Sequence, residues 1–303
     1  MVALLDAKDQ HHALHGGTTV KSRAEATRDE VVVVTGAGGM GEAVARRLGA
    51  GRILVLADAS EGRLAEAAER LSAAGHQVRS VRADLSSAAD ATTLAATAAA
   101  LGAIRAVIHT AGVSPVQATP AEIVAIDVVG TARVLDAFEP YVEAGTVAVC
   151  IASMAGTMTA MDPQTLELLA TTPTDWLSAL AVLDPATLDV GSAYGVAKRA
   201  NQARVEAASV VWGRRGGRVV SLSPGIIATP MGRAELAGPF GDVMRAMIEQ
   251  SGTGRIGTPD DIAAVVEFLV GPGASFITGT DLLVDGGVVA AMRYARSSDH
   301  PGT

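Results

Sequence analysis

Short aliphatic runs alternate with helix-like stretches along most of this chain. Residues 31–35 are four valines and a threonine, and a continuous β-branched run is typical of a strand buried on both faces. Similar runs lie at 53–57, 77–82, 104–109, 146–151, 218–222 and 281–284. Predicted helices occupy 40–49, 61–74, 88–101, 121–138, 192–212 and 260–270. Because parallel neighbours need crossover connections, this alternation predicts an α/β fold, a doubly wound parallel sheet of about seven strands with helices on both faces.

One such domain, at residues 30–291, accounts for most of the 303 residues. A polar leader at 1–29 and a tail at 292–303 flank it. The leader's histidines are interpreted as part of a flexible terminus, and no metal site is expected. Residues 155–191 separate the fifth strand from the longest helix, where a short connection would suffice. This segment is predicted to be an insertion with helices at 162–170 and 174–183.

Charge and cysteine content exclude several classes of protein. The formal net charge is −8 and no Lys/Arg run stands out, so neither a nucleic-acid groove nor a polybasic membrane patch is expected. No apolar stretch is long enough to cross a bilayer. Cys150 is the only cysteine, and its place in a core strand favours packing over nucleophilic chemistry. The chain therefore has no disulfide framework, and a reducing, cytoplasmic location is expected.

A glycine-rich turn follows the first strand and opens the first helix. Gly36, Gly38 and Gly41 match the G-x-G-x-x-G spacing. The first glycine permits a tight turn, the second lets the backbone approach a pyrophosphate, and the third lets the helix pack on the strand. The free N–H groups and positive dipole end of that helix would face the phosphates. Since glycines also cluster in loops that bind nothing, it is the context that favours a dinucleotide site.

An acidic residue at the end of the second strand indicates which dinucleotide is bound. Asp58 lies 22 residues after Gly36, where a carboxylate accepts hydrogen bonds from the 2′- and 3′-hydroxyls of the adenosine ribose. The same charge repels a 2′-phosphate, so NAD is expected rather than NADP. Arg63 lies one helical turn further on and is interpreted as a solvated helix residue rather than a phosphate ligand.

Ser153, Tyr194 and Lys198 form a candidate catalytic group. Tyr194 and Lys198 are four positions apart on the longest predicted helix and therefore face the same way. A phenol has an ordinary pKa of about 10, and the nearby ammonium is expected to lower it, so that Tyr194 exchanges a proton with an alcohol or a carbonyl oxygen. Ser153, after the fifth strand, would bond to the same oxygen. Alone, a Tyr-x-x-x-Lys pair is also common on helix surfaces.

In this order, the motifs resemble those of the short-chain dehydrogenase/reductase family over about residues 31–290. The resemblance implies a single Rossmann-fold domain whose phosphate turn includes Gly39 and Met40. It implies adenine contacts from Asp84 and Leu85, and a cofactor-lining turn at Ala111 and Gly112. Contacts with the nicotinamide end are implied for Tyr194, Lys198, Pro224, Gly225, Ile227 and Thr229.

Three positions depart from the family pattern. Two residues, rather than the commoner three, separate Gly36 from Gly39, so the phosphate turn is expected to be tighter or shifted. Asp127 stands where the family usually has the Asn that positions a water relay behind the Lys. It is counted as catalytic, although an Asp adds a negative charge to this relay and lacks the amide donor of Asn. His109 and Thr110 replace the usual pair of Asn residues before Ala111, so the central strand must be supported differently.

The insertion separates Ser153 from Tyr194 by 41 positions, against about a dozen in most of the family. In this respect the chain is similar to bacterial 3α-hydroxysteroid dehydrogenase/carbonyl reductase. That resemblance implies a homo-oligomer, a dimer in place of the usual tetramer, although the insertion is also compatible with a substrate lid. Trp176 within it is left open between interface and lid. Residues 231–255 are expected to form a substrate flap, helical at 235–247, with hinges near Gly232, Gly238 and Gly241.

The leading hypothesis is hydride transfer between NAD(H) and a secondary alcohol or ketone, an apolar, steroid-like or otherwise bulky small molecule. Two alternatives stay open. A sugar-nucleotide epimerase or dehydratase shares the Tyr/Lys pair but usually carries a longer C-terminal substrate domain. A non-catalytic NAD-binding sensor or scaffold would be expected to lack catalytic side chains, whereas Ser153, Tyr194 and Lys198 are all present.

Overall fold

The centre of the fold is a seven-stranded sheet, seen in a computed structural model that describes residues 28–294. Its strands are β1 (Glu30–Thr35), β2 (Ile53–Asp58), β3 (Gln77–Arg82), β4 (Ala103–His109), β5 (Val147–Ile151), β6 (Arg218–Pro224) and β7 (Asp281–Val284). Every neighbouring pair is parallel, in the order β3-β2-β1-β4-β5-β6-β7. The predicted doubly wound parallel sheet is confirmed; most of the predicted leader and tail lie outside the described residues.

Helices cover both faces of this sheet. They are α1 (Gly39–Leu48), α2 (Glu61–Ala73), α3 (Ala88–Leu101), α4 (Pro120–Ile123), α5 (Gly130–Phe138), α6 (Met154–Met158), α7 (Pro163–Thr171), α8 (Val190–Gly213), α9 (Pro230–Ala237), α10 (Gly241–Gln250), α11 (Pro259–Val270) and α12 (Val288–Tyr294). Within residues 28–294, no helix combines the length and the apolarity that crossing a membrane requires. The last helix runs past the predicted domain boundary at residue 291.

Alternate residues of each strand pack on opposite faces of the sheet, as the period of two requires. Val32 and Val34 of β1 contact the apolar sides of α1, α2 and α11. Val31 and Val33 contact those of α3, α5 and α8. Both faces of the central strands are therefore covered, which explains why β1 reads as an unbroken valine run in the sequence.

The insertion adds a third apolar cluster on the outer side of α8. Leu169 of α7 and Leu177 and Leu183 further on are fully buried against α8 and the helix that contains Val128. The predicted helix at 162–170 is present as α7, and the segment predicted at 174–183 is helical but divided. That stretch forms two 3₁₀ turns, Thr174–Ala179 and Ala181–Leu183. Leu180 between them has an extended backbone, which lets both leucines reach the same cluster.

The single helix predicted at 121–138 is interrupted by a π-helical segment, Val124–Val129, between α4 and α5. π-segments hold an additional residue per turn and often occur at functional sites. Here the Thr131 hydroxyl donates to the carbonyl oxygen of Asp127 (2.6 Å) within the widened turn. The Asp127 side chain lies in the interior, where the residue is 1% exposed.

The predicted flap is helical but divided, which corrects the continuous helix expected at 235–247. Gly238 ends α9 with an extended backbone, and α10 begins at Gly241. A side chain at Gly241 would overlap the carbonyl oxygen of Leu236, so the two helices turn sharply against each other only because this residue is glycine.

The last strand is tied to its neighbour and to α8 by one carboxylate. Asp281 accepts hydrogen bonds from the hydroxyls of Ser221 (2.6 Å) and Ser223 (2.9 Å) in β6. It also accepts one from the Gln202 amide in α8 (3.1 Å). This buried polar network fixes α8 relative to the edge of the sheet.

Candidate active site

The strand order reverses between β1 and β4, and the loops after these strands border a crevice at the carboxyl edge of the sheet. Gly36 follows β1 with a φ of 87°, in the left-handed region that favours glycine. A Cβ on Gly36 would lie 2.7 Å from the backbone nitrogen of Ala111, which follows β4. The two loops therefore meet at the switch point because Gly36 has no side chain.

Helix α1 begins inside the glycine turn, and no side chain caps its first N–H groups. A Cβ on Gly41 would overlap the carbonyl oxygen of Gly36, so glycine lets the helix start directly against the turn. Gly38 is the exposed N-cap residue and Met40 packs into the core. An uncapped helix N-terminus at a switch point fits the pyrophosphate of a dinucleotide. The shortened turn is accommodated by starting α1 at Gly39 itself.

Asp58 ends β2 and joins the second strand to the glycine turn. Its Oδ2 atom accepts a hydrogen bond from the Ala37 amide (2.9 Å). Its Oδ1 atom accepts from the Ser60 amide (2.8 Å) and from the Arg63 guanidinium (2.9 Å). Arg63 is 61% exposed, as predicted for its side chain, but it forms an ion pair with Asp58 rather than being only solvated. A carboxylate offers about four acceptor positions, so one is left for a ribose hydroxyl.

Asp84 and Leu85 follow β3 and lie next to β2, the strand that ends at Asp58. The Ala83 amide donates to the Asp58 carbonyl (3.1 Å), which places the segment beside the end of β2. The Asp84 carboxylate accepts from the amide (2.9 Å) and the hydroxyl (2.6 Å) of Ser86, while Leu85 is buried. The residues that the resemblance assigns to adenine and ribose are therefore neighbours at one end of the crevice.

The segment after β6 reaches back to the glycine turn. Pro224 ends β6, and a Cβ on Gly225 would lie 2.7 Å from the Cα of Asp285, so glycine is required where these two segments touch. Ile227 and Thr229 are buried. These four residues, for which the resemblance implies contacts with the nicotinamide end, therefore lie on the opposite side of the crevice from Asp58.

Helix α9 starts on top of the glycine turn. The Thr229 hydroxyl caps it by accepting from the Gly232 amide (3.0 Å). A Cβ on Gly39 would lie 3.3 Å from the side chains of both Thr229 and Pro230. The start of α9 is thus in contact with the phosphate turn at the border of the crevice.

Close packing of α6 on α8 brings Ser153 to Tyr194. A Cβ on Gly156 of α6 would lie 2.7 Å from the carbonyl carbon of Lys198, and one on Gly195 would lie 2.5 Å from the Thr159 hydroxyl. Ser153 is the N-cap of α6, and its hydroxyl contacts the Tyr194 phenol and favours the ionised phenol. The serine and the tyrosine, 41 positions apart in sequence, therefore share one site because two glycines let their helices touch.

Lys198 and Asp127 form a buried ion pair beside the tyrosine. The Lys198 Nζ atom lies 3.0 Å from Asp127 Oδ2, with the two side chains 7% and 0% exposed. The same Nζ lies 5.3 Å from the centroid of the Tyr194 ring. Asp127 Oδ1 accepts from the Val113 amide (2.9 Å), and a Cβ on Gly112 would come within 3.1 Å of that oxygen. Asp127 thus contacts the lysine directly, where the family's Asn is expected to act through water.

The pKa of the tyrosine shifts in the direction opposite to the one predicted from its lysine neighbour. Burial raises the pKa of Tyr194, and this effect outweighs the lowering by the Lys198 ammonium. The Asp127 carboxylate raises it further, because it offsets the charge of Lys198. Burial acts to lower the pKa of Lys198, but Asp127 and Tyr194 together raise it, so the lysine stays an ammonium ion. Without ligand, the protonated phenol is therefore favoured.

His109 provides the support for the central strands that the unusual sequence requires. Its Nδ1 lies 2.8 Å from the Thr35 hydroxyl at the end of β1, and its Nε2 lies 3.0 Å from the Thr131 hydroxyl. The Thr131 hydroxyl donates its one proton to the Asp127 carbonyl, so His109 donates from Nε2 and accepts at Nδ1. Burial, with a contribution from the Lys198 charge, lowers the pKa of His109 to about 3, so the ring stays neutral.

Two polar residues near the site, Glu235 and Ser114, were not predicted from the sequence, and Trp176 had no single predicted role. Glu235 of α9 lies beside the Ser114 hydroxyl and within reach of the Lys198 charge. A single flap glutamate and a loop serine carry no motif, so only the fold reveals this proximity. Trp176 lies elsewhere: it is 68% exposed and lines a groove formed by the insertion with α3, α5 and α8, away from the crevice.

Known proteins match this chain over most of its length. A family model described as short chain dehydrogenase matches residues 30–162, and one described as Enoyl-(Acyl carrier protein) reductase matches residues 183–289. Short-chain dehydrogenase/reductase bsc3 of Alternaria brassicicola is 39% identical over 270 residues, which cover 88% of this chain and 98% of that protein. The 3-alpha-hydroxysteroid dehydrogenase/carbonyl reductase of Comamonas testosteroni is 30% identical over 257 residues, covering 80% and 98%.

A solved structure supports the same conclusion. The short-chain dehydrogenase/reductase from Brucella melitensis, described as a glucose/ribitol dehydrogenase, superimposes with a TM-score of 0.67 at 30% identity. The match covers 86% of this chain and 96% of that one. The resemblance drawn from the motifs is thereby confirmed. Given the parallel sheet and relatives that align over nearly their full length, this chain belongs to the short-chain dehydrogenase/reductase family of oxidoreductases.

Proposed function

We propose that this enzyme transfers a hydride between NAD(H) and a secondary alcohol or ketone, with Tyr194 as the general acid and base. Oxidoreductases of its family use a nicotinamide cofactor and act on alcohols or ketones. One observation carries the finer assignment: Ser153, Tyr194 and Lys198 converge next to the loop after β4, beside the crevice that the glycine turn borders.

Each side chain is proposed to have a separate role in the reaction. During ketone reduction, Tyr194 donates its phenolic proton to the carbonyl oxygen; during alcohol oxidation it accepts the hydroxyl proton. Ser153 bonds to that same oxygen and stabilises the charge that develops on it. Lys198, held as an ammonium ion by Asp127, reduces the cost of the tyrosinate. A bound nicotinamide supplies or accepts the hydride.

The assignment of NAD rather than NADP is based on Asp58. Its buried carboxylate lies where the adenosine ribose is expected and would repel a 2′-phosphate. Arg63 partly offsets that charge, but its side chain is 61% exposed and is engaged with the same carboxylate. Gly36, Gly38, Gly39, Met40 and Gly41 would hold the pyrophosphate, Asp84 and Leu85 the adenine, and Ala111, Gly112, Pro224, Gly225, Ile227, Thr229 and Lys198 the nicotinamide half.

The proposed substrate has a bulky, largely apolar body. Val113 and Met161 pack in the same apolar cluster as Tyr194, so the surroundings of the reacting group are hydrophobic. The name of the Comamonas relative, a hydroxysteroid dehydrogenase and carbonyl reductase, supports a substrate of this kind. The proposed assembly is a homodimer. Residues 172–176 of the insertion line a groove with α5 and α8, and we propose that the insertion there alters a subunit interface so that a dimer forms in place of the usual tetramer. Cys150, a buried free thiol, is consistent with a reducing cytoplasm.

Replacing Tyr194 tests the proposal directly. The wild-type enzyme and Tyr194→Phe are screened against a broad panel of ketones with NADH and NADPH, following absorbance at 340 nm as is usual for reduced nicotinamide. We expect NADH-dependent turnover in the wild type, and a loss of about 10²–10⁴-fold in kcat for Tyr194→Phe, as removal of a general acid typically causes. Because Tyr194 is only one of many residues expected to contact the dinucleotide, NADH binding measured by fluorescence titration should be largely retained.

Two results would contradict the proposal. Wild-type-like turnover in Tyr194→Phe would remove the tyrosine from the chemistry. Tight NADH binding without oxidation of NADH by any ketone in the panel would favour a non-catalytic sensor. A preference for NADPH would overturn only the role given to Asp58.

A further inference from the structure

Helix α9 lies across the mouth of the crevice. At its start, Thr229 and Pro230 rest on Gly39 of the phosphate turn. At its end, Gly238 lies near Val116 of the segment after β4, where an added Cβ would be 3.6 Å from the valine side chain. The inner side of α9 therefore faces the region in which a substrate must approach Tyr194.

Glu235 occupies this inner side, while Arg233 and Ala234 of the same helix turn are exposed. The residue is half-buried, and its carboxyl lies beside the hydroxyl of Ser114. Ser114 is fully buried, and its Oγ atom has no well-formed hydrogen bond to any of residues 28–294. The serine lies two positions after Gly112, which touches the Lys198 and Asp127 pair. Both groups thus retain hydrogen-bonding capacity next to the reacting centre.

The charges around this position leave the glutamate without a cationic partner of its own. Lys198 of α8 is paired with Asp127 of the π-segment at 3.0 Å, and the other polar groups facing the site are the Tyr194 phenol and the Ser153 hydroxyl. No arginine or lysine within the described residues forms an ion pair with Glu235. Partly burying a carboxylate without an opposite charge is unfavourable, so such a group in a cleft is a candidate for binding a ligand.

We propose that Glu235, together with Ser114, recognises a hydrogen-bond-donating group of the substrate, a hydroxyl or an ammonium, and so determines specificity. The carboxylate accepts the donor, and the buried hydroxyl of Ser114 donates to a substrate oxygen where one is present. An anionic substrate is disfavoured by the same carboxylate. The inference rests on the proposed function and adds a single polar contact to its apolar substrate.

Four ketones with the same ring distinguish the possible hydrogen-bond-donating groups, because they differ only at carbon 4. They are cyclohexanone, 4-hydroxycyclohexanone, 4-aminocyclohexanone and 4-oxocyclohexanecarboxylate. The values of kcat and KM are measured with NADH for the wild type, Glu235→Gln, Ser114→Ala and the control Glu249→Gln, which removes the same charge at an exposed position on α10. Retained reduction of cyclohexanone shows that each variant is folded and catalytically intact.

The wild type is expected to have a higher kcat/KM for 4-aminocyclohexanone or 4-hydroxycyclohexanone than for cyclohexanone. Because hydrogen bonds to charged groups are strong, Glu235→Gln should lower kcat/KM for the preferred ketone about tenfold or more, chiefly through KM. The same variant should raise kcat/KM for 4-oxocyclohexanecarboxylate. Ser114→Ala should lower kcat/KM only for 4-hydroxycyclohexanone. Glu249→Gln should leave all ratios unchanged.

Unchanged ratios in Glu235→Gln, with reduction still dependent on Tyr194, would overturn this inference and leave the proposed function standing. Failure of the wild type to reduce any of the four ketones would also overturn it. The proposed function itself is decided separately, by the broad panel and the Tyr194→Phe variant.

Discussion

Among single residues, Asp127 counteracts the effect that Lys198 has on the proton of Tyr194. The family's usual Asn at this position is neutral, whereas the Asp127 carboxylate lies 3.0 Å from the Lys198 ammonium and offsets its charge. Burial raises the pKa of Tyr194, Lys198 lowers it and Asp127 raises it. The aspartate therefore favours the protonated phenol, which is the form that donates to a ketone.

Restoring the family's residue should move the pH dependence of the reaction. In Asp127→Asn, the carboxylate that raises the pKa of Tyr194 is removed while Lys198 is expected to stay charged, so the pKa of Tyr194 falls. Alcohol oxidation needs the ionised phenol as its base, and its kcat/KM rises with pH through that pKa. The rising limb should therefore shift to lower pH in Asp127→Asn, as measured from pH profiles of NAD reduction. The exposed Asp175→Asn serves as control; an unchanged or alkaline-shifted limb would refute the electrostatic role.

At the scale of elements, the site depends on how closely helices α6 and α8 approach. Gly156 lies against the backbone of α8, where a Cβ would be 2.7 Å from the Lys198 carbonyl carbon and 2.8 Å from the Arg199 nitrogen. Backbone atoms cannot move aside as a flexible side chain can, so the distance between the helices is set by the missing side chain.

A methyl group at position 156 should separate the catalytic residues. Gly156→Ala forces α6 away from α8 and moves Ser153 from Tyr194, and misplacement by about 1 Å can cost on the order of 10²-fold in rate. We expect a large fall in kcat with little change in NADH affinity, since the glycine turn is untouched. Gly62→Ala in α2, where an added Cβ meets nothing within 4 Å, is the matched control and should retain full activity. Equal kcat in the two variants would contradict this explanation.

Elements with a strong local pattern were predictable, and those fixed by tertiary contacts were not. The valines at 31–34 predict a strand that is buried on both faces. Gly36 and Asp58 predict a dinucleotide site at the carboxyl end of the first two strands. The π-segment at Asp127 has the same apolar spacing as an ordinary helix, so nothing in the sequence marks it. The separation of Ser153 from Tyr194 conceals their contact, and the raised pKa of Tyr194 results from burial, which spacing alone does not reveal.

For the whole molecule, His109 links stability to pH. Its neutral ring joins β1 and β4 to α5 through the hydroxyls of Thr35 and Thr131. Burial lowers the pKa of His109 to about 3 in the folded protein, whereas an unfolded histidine has a pKa of about 6.5. Between these values the unfolded chain binds a proton that the folded chain does not, so stability falls as pH falls through this window.

Replacing this histidine by the family's Asn should remove that pH dependence. Between pH 7.5 and pH 5, the free energy of unfolding of the wild type should fall by about 2 kcal/mol more than that of His109→Asn. Urea unfolding at the two pH values, followed by circular dichroism, measures the difference. Parallel losses in both proteins would show that His109 does not stay neutral.

The hydrogen bonds of Asp281 have a consequence for the order in which the fold assembles. They join the last strand to β6 and to α8, the helix that carries Tyr194 and Lys198. Parallel pairings between distant segments form slowly, because their ends must first be brought together. Until β7 has paired with β6, α8 lacks this anchor, so Tyr194 and Lys198 are expected to reach their final positions only in a late step of folding.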